Sequence, residues 1–345
     1  MGRGHHFEEQ ENSGAMRRLE NIHRILFIRT DRIGDTLMNV PAIHLLRQTY
    51  PKAWIELLCD HKVEALFRAH PDLDEVTPLN SQAIKKSVAA KWSLFQKIKK
   101  ARFDLALISN SDKFFHALTF LAGIPHRVGY RRKWGFLSNH TLSDDKNHDL
   151  RHEIDSNLNL VKLISDVEWD GLMPLVADES AKAKVEDFLS RRGAGEMIIA
   201  LHVGTTHPKK RWPIERFSGL ADKIQAEGGA KVVLIGAADE HEAGEAVLGR
   251  TQLPVVNAIG VFDLRELAAF LGRNNVKALI SSDSGPAHIA WMLGTPTVVF
   301  FAKDLPGSNA LRWGPRDGKS EVIEKRVMDI SVEEAFGALE RVLSK

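Results

Sequence analysis

Hydrophobic positions along the chain fall into two alternating series. Arg24-Ile25-Leu26-Phe27-Ile28-Arg29 is an apolar run of the length a buried strand needs. It is followed, over 36–50, by apolar residues at helical spacing (Leu37, Val40, Ile43, Leu46). Further strands are predicted at 54–59 and 103–108, and helices at 64–68, 116–123 and 157–165. The charged stretch 130–152 reads as loop. Around 171–177 the pattern resets. The second series predicts strands at 197–202, 231–236, 276–281 and 297–301. Between them lie helices at 180–191, 214–227, 240–248, 264–272 and 286–293, and an amphipathic segment, 332–343, closes the chain. Strands alternating with helices predict parallel sheets. The expectation is an α/β chain of two Rossmann-like, doubly wound domains facing each other across a cleft. The boundaries fall at 1–22 (a flexible N-terminal tail), 23–175 and 176–345, with the last helix free to return to the first domain.

Composition changes this picture little. The 345 residues are 43% apolar and 27% charged, an ordinary globular balance. A net charge of +2 gives no global reason to expect nucleic acid. The single cysteine, Cys59, excludes a disulfide framework and points to a reducing, cytoplasmic compartment. The polar start has no apolar core of signal-peptide type, and no run of about 18 apolar residues exists to span a bilayer.

Candidate chemistry collects in three loops that follow predicted strands, where doubly wound sheets bind ligands. The first is RTDRIGDTLMNVP, 29–41. Gly34 suits a tight turn, and Asp35 has two readings: a helix N-cap, or a carboxylate at the cleft placed to take a proton. The second is HVGTTHPKKRWP, 202–213. It lacks the Walker pattern, yet Thr205 and Thr206 precede Lys209, Lys210 and Arg211 beside a helix start, a set that suits a phosphate. The third is SSDSGPAHIA, 281–290. Asp283 can cap, Ser284 and Gly285 offer backbone N–H groups, and Pro286 fits the first turn, where it has no hydrogen bond to lose. His288, one turn further, can donate to a ligand or simply pack.

Taken together the three loops resemble glycosyltransferase family 9, the ADP-heptose–lipopolysaccharide heptosyltransferases. The resemblance runs from about Arg24 onward. It rests on R-x-x-x-I-G-D-T-L-x-x-x-P-A-I from Arg29, T-T-x-x-x-K-x-W-P from Thr205, and D-S-G-P-x-H-I-A from Asp283 with Gly294-Thr295-Pro296. It implies a GT-B fold and an inverting transfer with no metal or other cofactor. The first domain would hold the acceptor, the second the ADP-sugar. By motif position Asp35 is implied as the catalytic base. Thr205, Thr206, Lys210, Asp283, Ser284, Gly285 and His288 are implied at the diphosphate, Lys210 being preferred to Lys209 because it stands two before Trp212. Glu240 is implied at the ribose and Phe262 against adenine. The family's Gly-Pro-Thr is replaced after the 297–301 strand by Phe301-Ala302-Lys303-Asp304, so Lys303 is a candidate substitute charge.

Two basic segments mark the acceptor side. Lys85, Lys86, Lys91, Lys97, Lys99, Lys100 and Arg102, interleaved with Trp92, Leu94, Phe95 and Ile98, suit an anionic membrane surface. Arg127, Arg131 and Arg132, with Tyr130, Trp134 and Phe136, suit the carboxylates and phosphates of an anionic lipopolysaccharide core. No nucleic-acid module accompanies them. Asp72-Leu73-Asp74 is a DxD of the metal-dependent type but reads as a loop entering a strand, and neither His148 nor His152-Glu153 has zinc spacing. Two alternatives stay open: transfer of another nucleotide-activated sugar to a different acceptor, and a non-catalytic nucleotide-sugar binder. No GxGxxG opens either half, which argues against a dehydrogenase.

Overall fold

The computed structural model describes residues 18–110, 112–144, 151–195 and 197–345. Twelve strands among them form two six-stranded sheets, every pairing parallel. The first holds β1 (Arg24–Arg29), β2 (Trp54–Asp60), β3 (Glu75–Leu79), β4 (Leu105–Ile108), β5 (His126–Tyr130) and β6 (His140–Leu142), in the order β3-β2-β1-β4-β5-β6. The second holds β7 (Ile198–His202), β8 (Lys231–Ile235), β9 (Val256–Asn257), β10 (Val276–Ser282), β11 (Thr297–Ala302) and β12 (Glu321–Lys325), in the order β12-β11-β10-β7-β8-β9. Both are doubly wound, with the switch point between β1 and β4 in one and between β7 and β10 in the other.

Alternate residues of each strand serve different cores, as the period of two requires. In β1, Ile25 and Phe27 face one apolar cluster, while Leu26 and Ile28 face another with Leu94, Ile98 and Phe115. In β7, Ile198 and Ala200 share the cluster of Ile25 and Phe27, while Ile199 and Leu201 face a third. One apolar cluster therefore runs from lobe to lobe, through helices Val40–Thr49, Leu264–Leu271 and Gly285–Met292.

Several local expectations change. The helix predicted over 36–50 is two helices, Ile33–Leu37 and Val40–Thr49. Asn39, fully buried between them, turns its side-chain amide to the carbonyl oxygens of Asp35 and Thr36, which satisfies groups the break exposes. Strands β5, β6, β9 and β12 were not predicted; each is short, and β12 alternates exposed and half-buried positions at the sheet edge. The closing helix, Val332–Leu343, lies on its own lobe: Ala335, Phe336, Leu339 and Val342 join the second sheet's core with Trp212 and Phe217, so it does not return to the first domain. Of the predicted tail, 1–17 lie outside the described residues, whereas Ile22 is buried in the core and the Arg18 guanidinium lies over the Tyr50 ring. His148 also lies outside the described residues. Asp72 and Asp74 are occupied by structure: Asp72 pairs with His44 at 2.8 Å, and Asp74 pairs with Arg47 at 2.5 Å and accepts from the Ile55 amide. Buried Cys59 has its thiol pushed up to about 12 by desolvation, with Glu64 and Asp60 adding to it, so it is not poised to react.

Candidate functional site

Helix Ile33–Leu37 leaves the carboxyl end of β1, and helix Gly285–Met292 leaves that of β10. The two helices meet. A Cβ placed on Gly34 would lie 2.7 Å from His288 Cδ2, and one on Gly285 would lie 3.4 Å from the Ile33 side chain. Each glycine is thus the gap into which the other lobe fits. Gly34 has no positive φ, so the tight-turn reading gives way to one of close approach.

Asp35 falls in the first turn of its helix rather than at the N-cap, which is Arg32. Its carboxylate accepts from Arg29 Nη2 at 2.8 Å and its side chain keeps 28% exposure. Arg29, at the end of β1, is itself buried, with Asp31, Asp35 and Glu153 around its guanidinium. Burial works against its charge, and these carboxylates outweigh that and raise its pKa. Its Nη1 also donates to Ser109 at the end of β4, at 2.7 Å to the carbonyl and 3.1 Å to the hydroxyl. Asn39 Oδ1 accepts from the same Ser109 hydroxyl at 2.6 Å. The switch point of the first sheet is thus a buried polar network that fixes the orientation of Asp35.

Across from it, Lys210 is drawn inward. Its ammonium pairs with the Asp283 carboxylate and lies 3.2 Å from the Asp283 carbonyl. Lys209 instead turns outward to the Asp304 carbonyl at 2.7 Å. Trp212 fixes this loop by burying its indole and donating to the Ile330 carbonyl, and the Ser282 hydroxyl donates to the Lys210 carbonyl at 2.6 Å. Asp283 does not cap the helix; the N-cap is Ser284, in extended backbone. Burial would raise the Asp283 carboxyl, but His288 at 3.6 Å and Lys210 together hold it down at about 2. Pro286 offers no N–H, which leaves the amides of Gly285 and Ala287 in the first turn, where a helix leaves its donors unpaired.

His202, absent from the sequence reading as a ligand, lies under this loop. Its Nδ1 is 3.0 Å from the Ser281 hydroxyl and 3.3 Å from that of Ser284, and its Nε2 is 3.5 Å from the Glu240 carboxylate. Glu240 sees burial raising its pKa, and His202 together with the Ala237 amide lowering it by more. The Glu240 carboxylate lies so close over Gly204 that a Cβ there would fall 1.6 Å from it. Thr205 is half-buried and Thr206 exposed beside them. Phe262 is half-buried, stacked on Phe270 at 5.4 Å and edge-on to Phe188.

The three arginines expected on the acceptor side part company. Arg127 is spent on structure: its guanidinium donates to the carbonyls of Ile124, Pro125 and Leu137 and lies over Phe120. Arg131 and Arg132 are exposed, the latter 3.0 Å from Asp144. Near them a concavity of about 590 Å³ opens at the carboxyl ends of β1, β4 and β5, lined by Asp31, Asn110, Asp112, Lys113, Lys133 and Trp134. A larger one of about 790 Å³ lies at the opposite, amino end of the second sheet and includes none of the predicted site residues.

Comparison with known proteins adds to this geometry. The family model described as glycosyltransferase family 9 (heptosyltransferase) matches residues 91–334. Lipopolysaccharide heptosyltransferase 2 of Escherichia coli (strain K12) is 26% identical over 294 residues, 82% of this chain and 84% of that protein. Among solved structures, the glycosyl transferase family 9 protein from Veillonella parvula DSM 2008 superposes with a TM-score of 0.86 at 23% identity, covering 95% of this chain and 99% of that one. Escherichia coli ADP-heptose lps heptosyltransferase II gives 0.77 at 25% identity, covering 93% and 98%. With two doubly wound sheets, three loops meeting at their switch points and a family match across most of its length, this chain belongs to glycosyltransferase family 9, the heptosyltransferases.

Proposed function

We propose that the protein transfers heptose from ADP-heptose to an anionic lipopolysaccharide inner-core acceptor, with inversion and without a metal ion. The observation that carries this reading is the meeting of helix Ile33–Leu37 with the start of helix Gly285–Met292, which sets Asp35 and the Lys210–Asp283–His288 cluster on two sides of one junction. Asp35 takes the proton of the acceptor hydroxyl as its oxygen attacks the anomeric carbon. The bond to the diphosphate breaks on the opposite face. The charge that develops on the departing ADP is met by Lys210, by the amides of Gly285 and Ala287 and by the positive end of that helix. Asp283 holds Lys210 and His288 in place; as a carboxylate it repels phosphate, so it acts on these two side chains rather than on the ligand. Ser284, Thr205 and Thr206 supply hydroxyls, Glu240 faces the ribose and Phe262 the adenine.

Acceptor chemistry supports the same reading. The concavity at β1, β4 and β5 pairs Trp134 with Lys113, whose ammonium lies 5.6 Å from the ring centroid, and Lys133 adjoins it. Arg131 and Arg132 stand beside it for anionic groups, and Arg127 drops out as a ligand. Among the described residues no helix is long and apolar enough to cross a membrane. A lipid-anchored acceptor would then be met by surface contact with the membrane face.

Asp35→Asn tests the reading directly. Released ADP is expected to fall by about 10²–10⁴-fold, the usual worth of a positioned base, with ADP affinity retained. The wild-type rate should survive chelation of divalent ions. Full turnover by the variant would remove Asp35 from the mechanism.

A further inference from the structure

Glu153 is almost fully buried, 1% exposed, and lies between two arginines from different lobes. On its own side Arg29 Nη1 is 3.7 Å away, and this is the same guanidinium that holds Asp35. On the other side Arg312 reaches in from helix Ala310–Trp313, with Nη2 at 3.2 Å and Nε at 3.3 Å from one Glu153 oxygen. Two further contacts join the same two segments. His152 Nε2 donates to the Gly314 carbonyl at 2.9 Å, and Arg316 forms a two-pronged pair with Asp155 at 2.7 and 2.6 Å. The partner segment also touches the phosphate helix: Trp313 packs with Ala287, and its ring lies 6.5 Å from that of His288.

We propose that Arg312 and Glu153 are positioning residues that couple the seating of the donor lobe to the alignment of Asp35, through Arg29. The physical reason is competition for one cation. With Arg312 docked, the buried carboxylate of Glu153 is neutralised from the second lobe, and Arg29 is left to Asp35 and Asp31. With Arg312 withdrawn, Glu153 loses the cation supplied by the second lobe while Arg29 stays beside it, and a buried carboxylate that loses a cation draws harder on the arginine that remains. Arg29 then turns to Glu153 and its hold on Asp35 loosens. A base displaced by as little as about 1 Å costs on the order of 10²-fold in rate. The ring contact from Trp313 to His288 ties this clasp to the helix proposed to hold the diphosphate, so the base is set when the donor side is in place.

The proposal rests on Asp35 being the base, and five variants of the full chain separate the two claims. ADP release is measured with ADP-heptose and a truncated inner-core acceptor, and ADP binding by calorimetry. Arg312→Ala and Glu153→Gln are each expected to lower kcat about tenfold or more with ADP affinity within about twofold, because the loss falls on alignment and not on donor binding. Arg312→Lys should recover part of that loss. Asp155→Asn removes the neighbouring exposed pair, which does not reach Arg29, and should keep kcat within about twofold. Equal losses in Asp155→Asn and Arg312→Ala would mean that the clasp only docks the lobes, and the proposal fails. Normal kcat in both Arg312→Ala and Glu153→Gln, with Asp35→Asn inactive, overturns the coupling alone. Should Glu153→Gln not fold, Arg312→Ala and Arg312→Lys still decide, since the Arg312 side chain is 19% exposed and lies in a helix of only four residues. Turnover in Asp35→Asn instead overturns the base assignment.

Discussion

At the scale of single residues, Gly34 sets two effects against each other. It lies in a helix, where replacing glycine by alanine ordinarily stabilises by about 0.5–1 kcal/mol. Its missing Cβ, however, is the space His288 occupies, with Cδ2 2.7 Å from where that atom would be. His288 is buried and stands near the rings of Trp291 and Trp313, so it has little freedom to retreat. Overpacking of this kind costs about 1–3 kcal/mol, which exceeds the helical gain. Gly34→Ala should therefore lower Tm and reduce kcat/KM, as a thermal melt and an initial-rate assay would register. A variant more stable than wild type would show that the lobes do not meet at this glycine.

At the scale of elements, helix Val88–Ala101 has two uses for its side chains. Leu94 and Ile98 fasten it to the first sheet. Val88 and Trp92 point outward at 81% and 60% exposure, next to Lys85, Lys86 and Lys91. Because the helix follows β3 and runs back towards β4, these residues stand at the carboxyl end of the sheet, and the Ser81 hydroxyl just before them donates to the Thr30 carbonyl. The element is thus proposed to rest on anionic lipid at the mouth of the acceptor side. Each lysine near such a surface contributes about 1 kcal/mol at low salt. Co-sedimentation with phosphatidylglycerol vesicles should exceed that with phosphatidylcholine vesicles, and Trp92→Ala with Lys85→Ala should weaken it severalfold. Equal binding by that double variant would assign the patch another role.

At the scale of the molecule, acid should loosen the contact between lobes. His152 is buried with its ring donating to Gly314 of the other lobe. Desolvation, aided by Arg316 and His288, holds its pKa down at about 4 against an ordinary 6.5. Between those values the unfolded chain binds more protons than the folded one, so stability rises with pH through the window and is lost as pH falls from 6.5 towards 4. The shift corresponds to roughly 3 kcal/mol. His70, also held at about 4, slopes the same way, so the difference between proteins is what counts. His152→Gln should flatten the fall of Tm between pH 6.5 and 4.5; an unchanged slope would locate the acid sensitivity elsewhere.

Much of this architecture is written locally. Apolar runs such as Ile25–Ile28 and Leu279–Ile280, each followed by a short polar segment and a helix, are enough to specify parallel sheets and to put Asp35, Lys210 and Ser284 at strand ends, because the period of side chains and the φ that proline fixes are properties of neighbouring residues. The two-residue β9 and the edge strand β12 were not legible, since short strands take their stability from a partner and not from their own pattern. Arg29 and His202 fall within the candidate loops but had no role readable there, and Glu153 and Arg312 lie outside all three loops. An arginine after an apolar strand, or a glutamate opening a helix, is commonplace by itself; its meaning comes from a charge that stands 124 positions from Arg29 and 159 from Arg312 in the case of Glu153 (153 − 29 and 312 − 153). The sequence by itself determined the main alternation of strands and helices and which loops are the candidates for the chemistry. The tertiary structure alone decided that Gly34 makes room for His288, that Asp283 holds Lys210, and that one buried carboxylate joins the two lobes, because burial and charge pairing depend on which distant segments exclude water together.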